Sequence, residues 1–268
     1  MITPILVKYP THCHLPAFHY IKGASAGIGE MCAWRFAEEG CKLILIARRQ
    51  ERLSRLSEAI QSEYPDLSIH TITMDVQDLT TVAAIPSSLP QQFKDVYLLI
   101  NNAGLALGID PIHQLDMLEA KQMIDTNILS LIAFPRAFIP GMVERNQGHI
   151  INMSSIAGHE KYSGGSVYCA TKHAVDAITG VARHDLVDTD IRISALSPGA
   201  VKTEFSVVRF KGDMDKADSV YAGFDPLTAA DIAEDAVWVA TRPLHVQVAE
   251  VVTLANAQCS AKGLSRKL

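Results

Sequence analysis

The sequence predicts an α/β protein: a single doubly wound domain with a parallel sheet of about seven strands and helices on both faces. Three observations lead there. Short unbroken apolar runs such as Lys42 to Ala47 (KLILIA) read as strands covered on both sides, as parallel strands are. They alternate with longer stretches of helical period, for example Leu53, Leu56 and Ile60. The first strand-to-helix junction holds a glycine cluster, Gly23-Ala-Ser-Ala-Gly27-Ile-Gly29.

A chain of 268 residues can bury a large core as one domain, and no linker, repeat or low-complexity tract divides it. The domain is expected to span residues 18–268, after an irregular extension over 1–17. His12-Cys13-His14, with His19 nearby, offers ligand-type side chains at a spacing that matches no zinc pattern, so no metal site is expected. A net charge of −5 gives no reason to expect nucleic acid or an anionic membrane as partner, and no apolar run reaches the length of a membrane span. The five cysteines are scattered with no C-x-x-C, which fits a reducing compartment. Lys8 and Pro10 interrupt any signal-peptide core, and the C-terminal Arg266-Lys267-Leu268 only approaches a peroxisomal address, so a cytoplasmic location is expected.

Taken in order, Phe18-His19-Tyr20-Ile21 is a short and poor candidate for the first strand. The glycine cluster follows, and Met31, Trp34, Phe36 and Ala37 give a helical pattern closed by Gly40. Strand, glycine turn and helix is the arrangement whose backbone N–H groups receive a pyrophosphate, although an ordinary turn has the same composition. The second strand, Lys42 to Ala47, ends at Arg48-Arg49, where an NAD-binding unit usually has an acid near its end for the ribose 2′-hydroxyl. Two arginines suit a 2′-phosphate and so NADP; the alternative is a solvated start to the next helix.

Ile69 to Met74 reads as a strand ending at Asp75-Val76, with a helix towards Ser88. Val96 to Ile100 is another buried strand and opens onto Asn101-Asn102-Ala103-Gly104. A long helix is expected from Thr126 to about Glu144, disturbed by Pro135 and Pro140. Gly148 to Met153 is a strand, Val167 to about Leu186 a helix, and Ile191 to Leu196 a strand. An irregular polar stretch should run from Ser197 to about Pro226. Thr228 to Thr241 is a helix, and Val248 to Leu254 a last strand.

The chemistry concentrates between Asn152 and Lys172. Lys172 follows Tyr168 by four, so on a helix the two side chains share a face. An ammonium there favours the phenolate and lowers the pKa of a tyrosine that otherwise titrates near 10. Such a phenol can exchange a proton with a substrate oxygen. The serines at 154 and 155 lie where a buried strand meets a loop, and a hydroxyl there can donate to an oxygen that gains charge. The same spacing also occurs as an exposed helix pair.

With these pieces together the chain resembles the short-chain dehydrogenase/reductase family over about residues 18 to 258. The motifs that carry it are the Gly23/Gly27/Gly29 turn, Asp75, Asn101-Asn102-Ala103-Gly104, Asn127, Ser155, Tyr168-x-x-x-Lys172 and Pro198-Gly199…Thr203. The resemblance implies a Rossmann-type fold and a catalytic set of Asn127, Ser155, Tyr168 and Lys172. Ser155 is preferred to Ser154 because it precedes Tyr168 by thirteen. Tyr168 would be the proton donor or acceptor, Lys172 would lower its pKa and hold the nicotinamide ribose, Ser155 would polarise the carbonyl, and Asn127 would anchor a water. Cofactor contacts would come from Gly23, Ser25, Gly27, Ile28 and Gly29, from Arg48, Arg49, Asp75, Val76, Asn102 and Gly104, and from Pro198, Gly199, Val201 and Thr203. The family also implies a homotetramer or homodimer built on the helices beginning near Asn127 and Val167.

A closer resemblance is to the NADP-dependent 3-hydroxy acid dehydrogenases that oxidise L-serine and L-allo-threonine. It rests on Leu43–Arg49, Asn101–Gly108 and Thr203–Gly212. In the last segment Arg209 and Lys211 are cations available for a substrate carboxylate. One departure bears on function: Lys22 stands where the family has a threonine, and it would have to snorkel or be paired. The expected activity is hydride transfer between NADP and a small 3-hydroxy acid. A general carbonyl reductase, or a non-catalytic protein whose cofactor turn is spoiled by Lys22, is the alternative.

Overall fold

The computed structural model describes residues 18–267. The expected extension over 1–17, with His12, Cys13 and His14, lies outside them. Seven parallel strands form one sheet in the order β3-β2-β1-β4-β5-β6-β7. They are β1 (Phe18–Lys22), β2 (Lys42–Ala47), β3 (Ile69–Thr73), β4 (Leu98–Asn101), β5 (Gly148–Met153), β6 (Ile191–Pro198) and β7 (Glu250–Thr253). The order reverses between β1 and β4, and a sheet of this kind binds its ligand at the carboxyl ends of the strands beside that reversal.

Alternate residues of β2 feed two cores, as the period of a strand requires. Leu43 and Leu45 pack with Phe36 of α1 (Gly27–Glu38), Leu53 and Ile60 of α2 (Gln50–Glu63), and Ile232 and Val239 of α9 (Ala229–Ala240). Ile44 and Ile46 face the other way, towards Val82 and Ile85 of α3 (Leu79–Ser88) and Phe134 and Phe138 of α5 (Ser130–Glu144). A capping box between Thr228 and Asp231 starts α9.

The poor candidate strand is the central one, paired on both sides. Its polar-looking side chains are core. His19 stacks on Phe36 at 4.9 Å between ring centroids, and Tyr20 lies 4.8 Å from the Phe138 ring. Burial holds the His19 imidazole neutral, with its pKa lowered to about 3.

Two other expectations are corrected. The helix expected from Thr126 begins at Met117 as α4 (Met117–Ile124), capped by Asp116. It passes through a π-helical turn (Asp125–Leu129) into α5, so Asn127 sits in that turn. An 18-residue window of the joined helix Met117–Glu144 has a mean hydropathy of 1.3, long and apolar enough by length and composition alone to cross a membrane, contrary to the sequence expectation. Here Leu131, Phe134, Phe138 and Met142 bury against the protein's own core. The stretch expected to be irregular up to Pro226 contains α7 (Glu204–Arg209) and α8 (Met214–Ser219), capped by Thr203 and Asp213. Six residues are too few to show a helical period. Between β5 and β6 runs α6 (Ser166–Asp185).

Candidate active site

The strand ends open into a cleft of about 500 Å³ that runs from the glycine turn to α7. The turn is built for close approach. Gly23 and Gly27 have φ of +78° and +58°, which side chains rarely adopt. A Cβ on Gly29 would lie 2.2 Å from the Gly23 carbonyl oxygen, so this glycine serves packing behind the turn and does not line the cleft. Asn102 closes the turn from β4 by donating to the same carbonyl at 3.3 Å. Ser25, Gly27 and Ile28 present the turn to the cleft.

Lys22 does not reach this turn. Its side chain follows Tyr20 onto the α5 side of the sheet, fully buried, where Nζ donates to Ser130 Oγ at 2.8 Å and lies 4.9 Å from the Phe134 ring centroid. It neither snorkels nor meets a carboxylate. Burial and the nearby Lys172 lower its pKa to about 7.

At the end of β2, Arg48 approaches Asp75 Oδ2 at 3.7 Å. Arg49 donates to Ser25 Oγ and pairs with Glu204 at 2.9 Å. Arg52, from the next turn of chain, pairs with the same carboxylate at 2.6 Å. Asp75 also accepts from the Gln77 N–H, and Val76 lines the cleft beside it.

At the centre, β5 delivers two serines with different partners. Ser154 donates to Asp176 on α6. Ser155, extended at the strand end, reaches towards Pro198 O at 3.4 Å and accepts from the Ala157 N–H. Burial raises the Tyr168 phenol above its ordinary pKa, and the Ser155 hydroxyl is the largest opposing effect, with Arg209 adding to it. Lys172 is one turn further along α6. Its Nζ donates to Met153 O at 2.8 Å and is 5.8 Å from the Tyr168 ring centroid. Burial lowers its own pKa to about 8. The phenol is thus shifted in the direction opposite to that expected from the ammonium.

Asn127 lies behind the cleft and not on its wall. Its Oδ1 accepts from the Leu105 N–H at 2.9 Å, and its Nδ2 donates to Leu105 O and Thr171 Oγ1. Both amide hydrogens are engaged, so of the side chain only an Oδ1 lone pair is left for the expected water. Gly104 packs against it, since a Cβ there would be 3.3 Å from Asn127 Oδ1.

Pro198, Gly199, Val201 and Thr203 form the floor beyond β6. Gln258 braces them by accepting from the Ala200 N–H at 2.9 Å. Thr203 caps α7, which ends in Arg209. The Arg209 guanidinium donates to Gly108 O and to the Tyr162 hydroxyl, and its carbon lies 5.7 Å from the Tyr168 ring centroid. Its Nη2 is buried with no hydrogen-bond partner. Lys211, named with it as a carboxylate cation, instead pairs with Glu119 on the surface.

Four contributors escaped the sequence reading: Glu204, Arg52, Tyr162 and Lys262. Tyr162, with Gly164-Gly165 behind it, stood six residues before Tyr168 as an unused signal. Lys262 carries no local signal at all.

The short chain dehydrogenase family model matches residues 18–213. An NADP-dependent 3-hydroxy acid dehydrogenase of Schizosaccharomyces pombe is 44% identical over 248 residues, 92% of this chain and 95% of that protein. One of Salmonella typhi is 45% identical over 246 residues, 91% of this chain and 97% of that protein. Among solved structures, the closed form of a serine dehydrogenase complexed with NADP+ superposes with a TM-score of 0.88. It is 39% identical, and the match covers 94% of this chain and 100% of that one. The likeness thus runs along nearly the whole length, and the chain belongs to the short-chain dehydrogenase/reductase family.

Proposed function

We propose that this protein is an NADP-dependent dehydrogenase that interconverts a small 3-hydroxy acid and its carbonyl form. The observation that carries the substrate class is Arg209, whose guanidinium carbon lies 5.7 Å from the Tyr168 ring centroid and whose buried Nη2 has no hydrogen-bond partner. A guanidinium fixed by Gly108 O and Tyr162 is suited to a planar carboxylate.

The cleft fits NADP. The Gly23–Gly29 turn offers backbone N–H groups at the start of α1 for the pyrophosphate. All of these line the cleft: Arg48 and Arg49 would take the 2′-phosphate, Asp75, Val76 and Asn102 the adenosine half, and Thr203 with the Pro198–Val201 floor the nicotinamide half. When bound, NADP supplies the hydride acceptor or donor. The protein's residues handle the proton and the position of the substrate. Ser155 donates to the substrate oxygen, and Tyr168 takes or returns the proton at its phenolic oxygen. Lys172 stabilises the phenolate and holds the ribose, and Asn127 fixes the Leu105 segment that closes the cleft beside them.

Reduction of NADP+, followed by absorbance, tests this against L-serine, L-allo-threonine, 3-hydroxyisobutyrate and simple secondary alcohols. Preference for the acids is expected. Equal use of neutral alcohols would replace the proposal with a general carbonyl reductase.

The reading extends to a homotetramer or homodimer. Leu129 and Ile132, at the start of α5, and Val181 on α6 are exposed apolar residues that a partner's helices would cover, whereas Phe134 and Phe138 belong to the core. A monomer by light scattering at micromolar concentration would exclude it.

A further inference from the structure

Two cations reach one aromatic ring from distant parts of the chain. The Tyr162 ring centroid lies 5.5 Å from the Arg209 guanidinium carbon and 4.8 Å from Lys262 Nζ. Arg209 ends α7, whereas Lys262 comes from the C-terminal segment beyond β7, and both line the cleft. Among the described residues neither forms an ion pair. The carboxylate of Glu160 is close in sequence to Tyr162 but accepts from the Ala261 N–H at 2.7 Å.

Like charges gathered without an acid between them repel, and an anion seated there relieves the repulsion. The proton affinity of Lys262 has the matching sign: burial, Arg209 and Arg266 all lower its pKa. Arg209 is fixed by Gly108 O and Tyr162, so it sets the direction of a carboxylate. Among the described residues no hydrogen bond holds Lys262, whose three donors ride on a flexible stem, which lets it follow the second oxygen.

We propose that Lys262 is a specificity-determining residue, a second cation that acts with Arg209 on the substrate's carboxylate and favours a 3-hydroxy acid over its uncharged analogue. This rests on the hydroxy-acid reading above. It goes beyond that reading by assigning half of the anion subsite to a tail segment outside the 18–213 match to the family model.

The test compares 3-hydroxyisobutyrate with its methyl ester as substrates of the NADP-loaded wild type, Lys262→Met, Lys262→Arg and Arg209→Met. A partly exposed charge-assisted contact is worth about 1.4 kcal/mol, or tenfold. Lys262→Met should therefore raise KM for the acid about tenfold, leave kcat within about threefold and leave the ester unchanged. Lys262→Arg should restore the preference, which a merely structural role would not require. If Arg209→Met loses the acid preference but Lys262→Met shifts acid and ester alike, or neither, Lys262 has no such role. If the wild type itself turns over ester and acid equally well, the hydroxy-acid reading fails and this inference fails with it.

Discussion

The Tyr168 phenol is where the opposing effects on the chemistry meet. Burial raises its pKa, and the groups that oppose burial are the Ser155 hydroxyl and the Arg209 guanidinium. Lys172 sits one turn away, bonded to the Met153 carbonyl, and its own pKa is lowered to about 8. Its field can therefore favour the phenolate only while it holds its proton, towards and below that pH. Tyr168→Phe keeps the ring and its contact with Phe205 but removes the atom that moves the proton. Turnover should fall by about 10²–10⁴-fold, with NADP affinity little changed. Lys172→Met should lower both turnover and NADP affinity. Oxidation needs the phenolate, so the rise of its rate with pH should move to higher pH in that variant. A pH–rate profile whose rise stays where it is in the wild type would show that Lys172 does not tune Tyr168.

At the level of elements, α7 joins the two halves of the cleft. Its first residue, Glu204, pairs with Arg49 beyond the end of β2 and with Arg52 in the first turn of α2, and its last, Arg209, stands over Tyr168. The Glu204 carboxylate thus occupies one of the arginines that would meet a 2′-phosphate. Removing that carboxylate should help NADP and do nothing for NAD. Glu204→Gln is expected to tighten NADP binding by up to about fivefold, the scale of an exposed ion pair. Titration of both cofactors checks this, and equal gains, or weaker NADP binding, would count against it. Nothing in the sequence signalled this contact, because it links positions 155 residues apart. The same reason hides Lys262, whereas Ser155, Tyr168 and Lys172 are legible because one strand end and one helix hold them. Among the elements, β2 and β5 were read at their full lengths, β2 because an unbroken apolar run is what a covered parallel strand looks like and β5 around its Ile150-Ile151 pair. The central β1 was not, because histidine, tyrosine and lysine fill its core positions. The start of α4 was obscured too: Met117 and Leu118 are apolar yet strongly exposed, so the sequence shows no buried stripe there.

For the molecule as a whole, burying basic groups ties stability to pH. In the unfolded chain Lys22 keeps its proton up to its ordinary pKa of 10.5, but in the folded protein it releases it at about 7. The unfolded state then binds more protons between those values, so stability rises with pH across that window, and the penalty is complete below about 7. A shift of this size corresponds to a penalty on the order of 5 kcal/mol. Lys172, lowered to about 8, adds a smaller contribution of the same sign. His19 repeats the pattern at lower pH: its folded pKa of about 3 lies below the ordinary 6.5, so stability is lost progressively as pH falls below 6.5. Lys22→Met keeps most of the volume, and Ser130 still donates to Thr126 O after the lysine is gone. Replacement of a buried charge by an apolar side chain of similar size is often stabilising by about 1–4 kcal/mol. At pH 7 the variant should therefore melt several degrees above the wild type, at about 2–4 °C per kcal/mol for a domain of this size. Between pH 7 and 8.5 the wild type should gain stability, whereas the variant should gain less, keeping only the share from Lys172. Thermal melts of both proteins at the two pH values decide the matter. A variant no more stable at pH 7, or one whose gain to pH 8.5 equals that of the wild type, would mean that Lys22 is accommodated in the core as a charge without penalty.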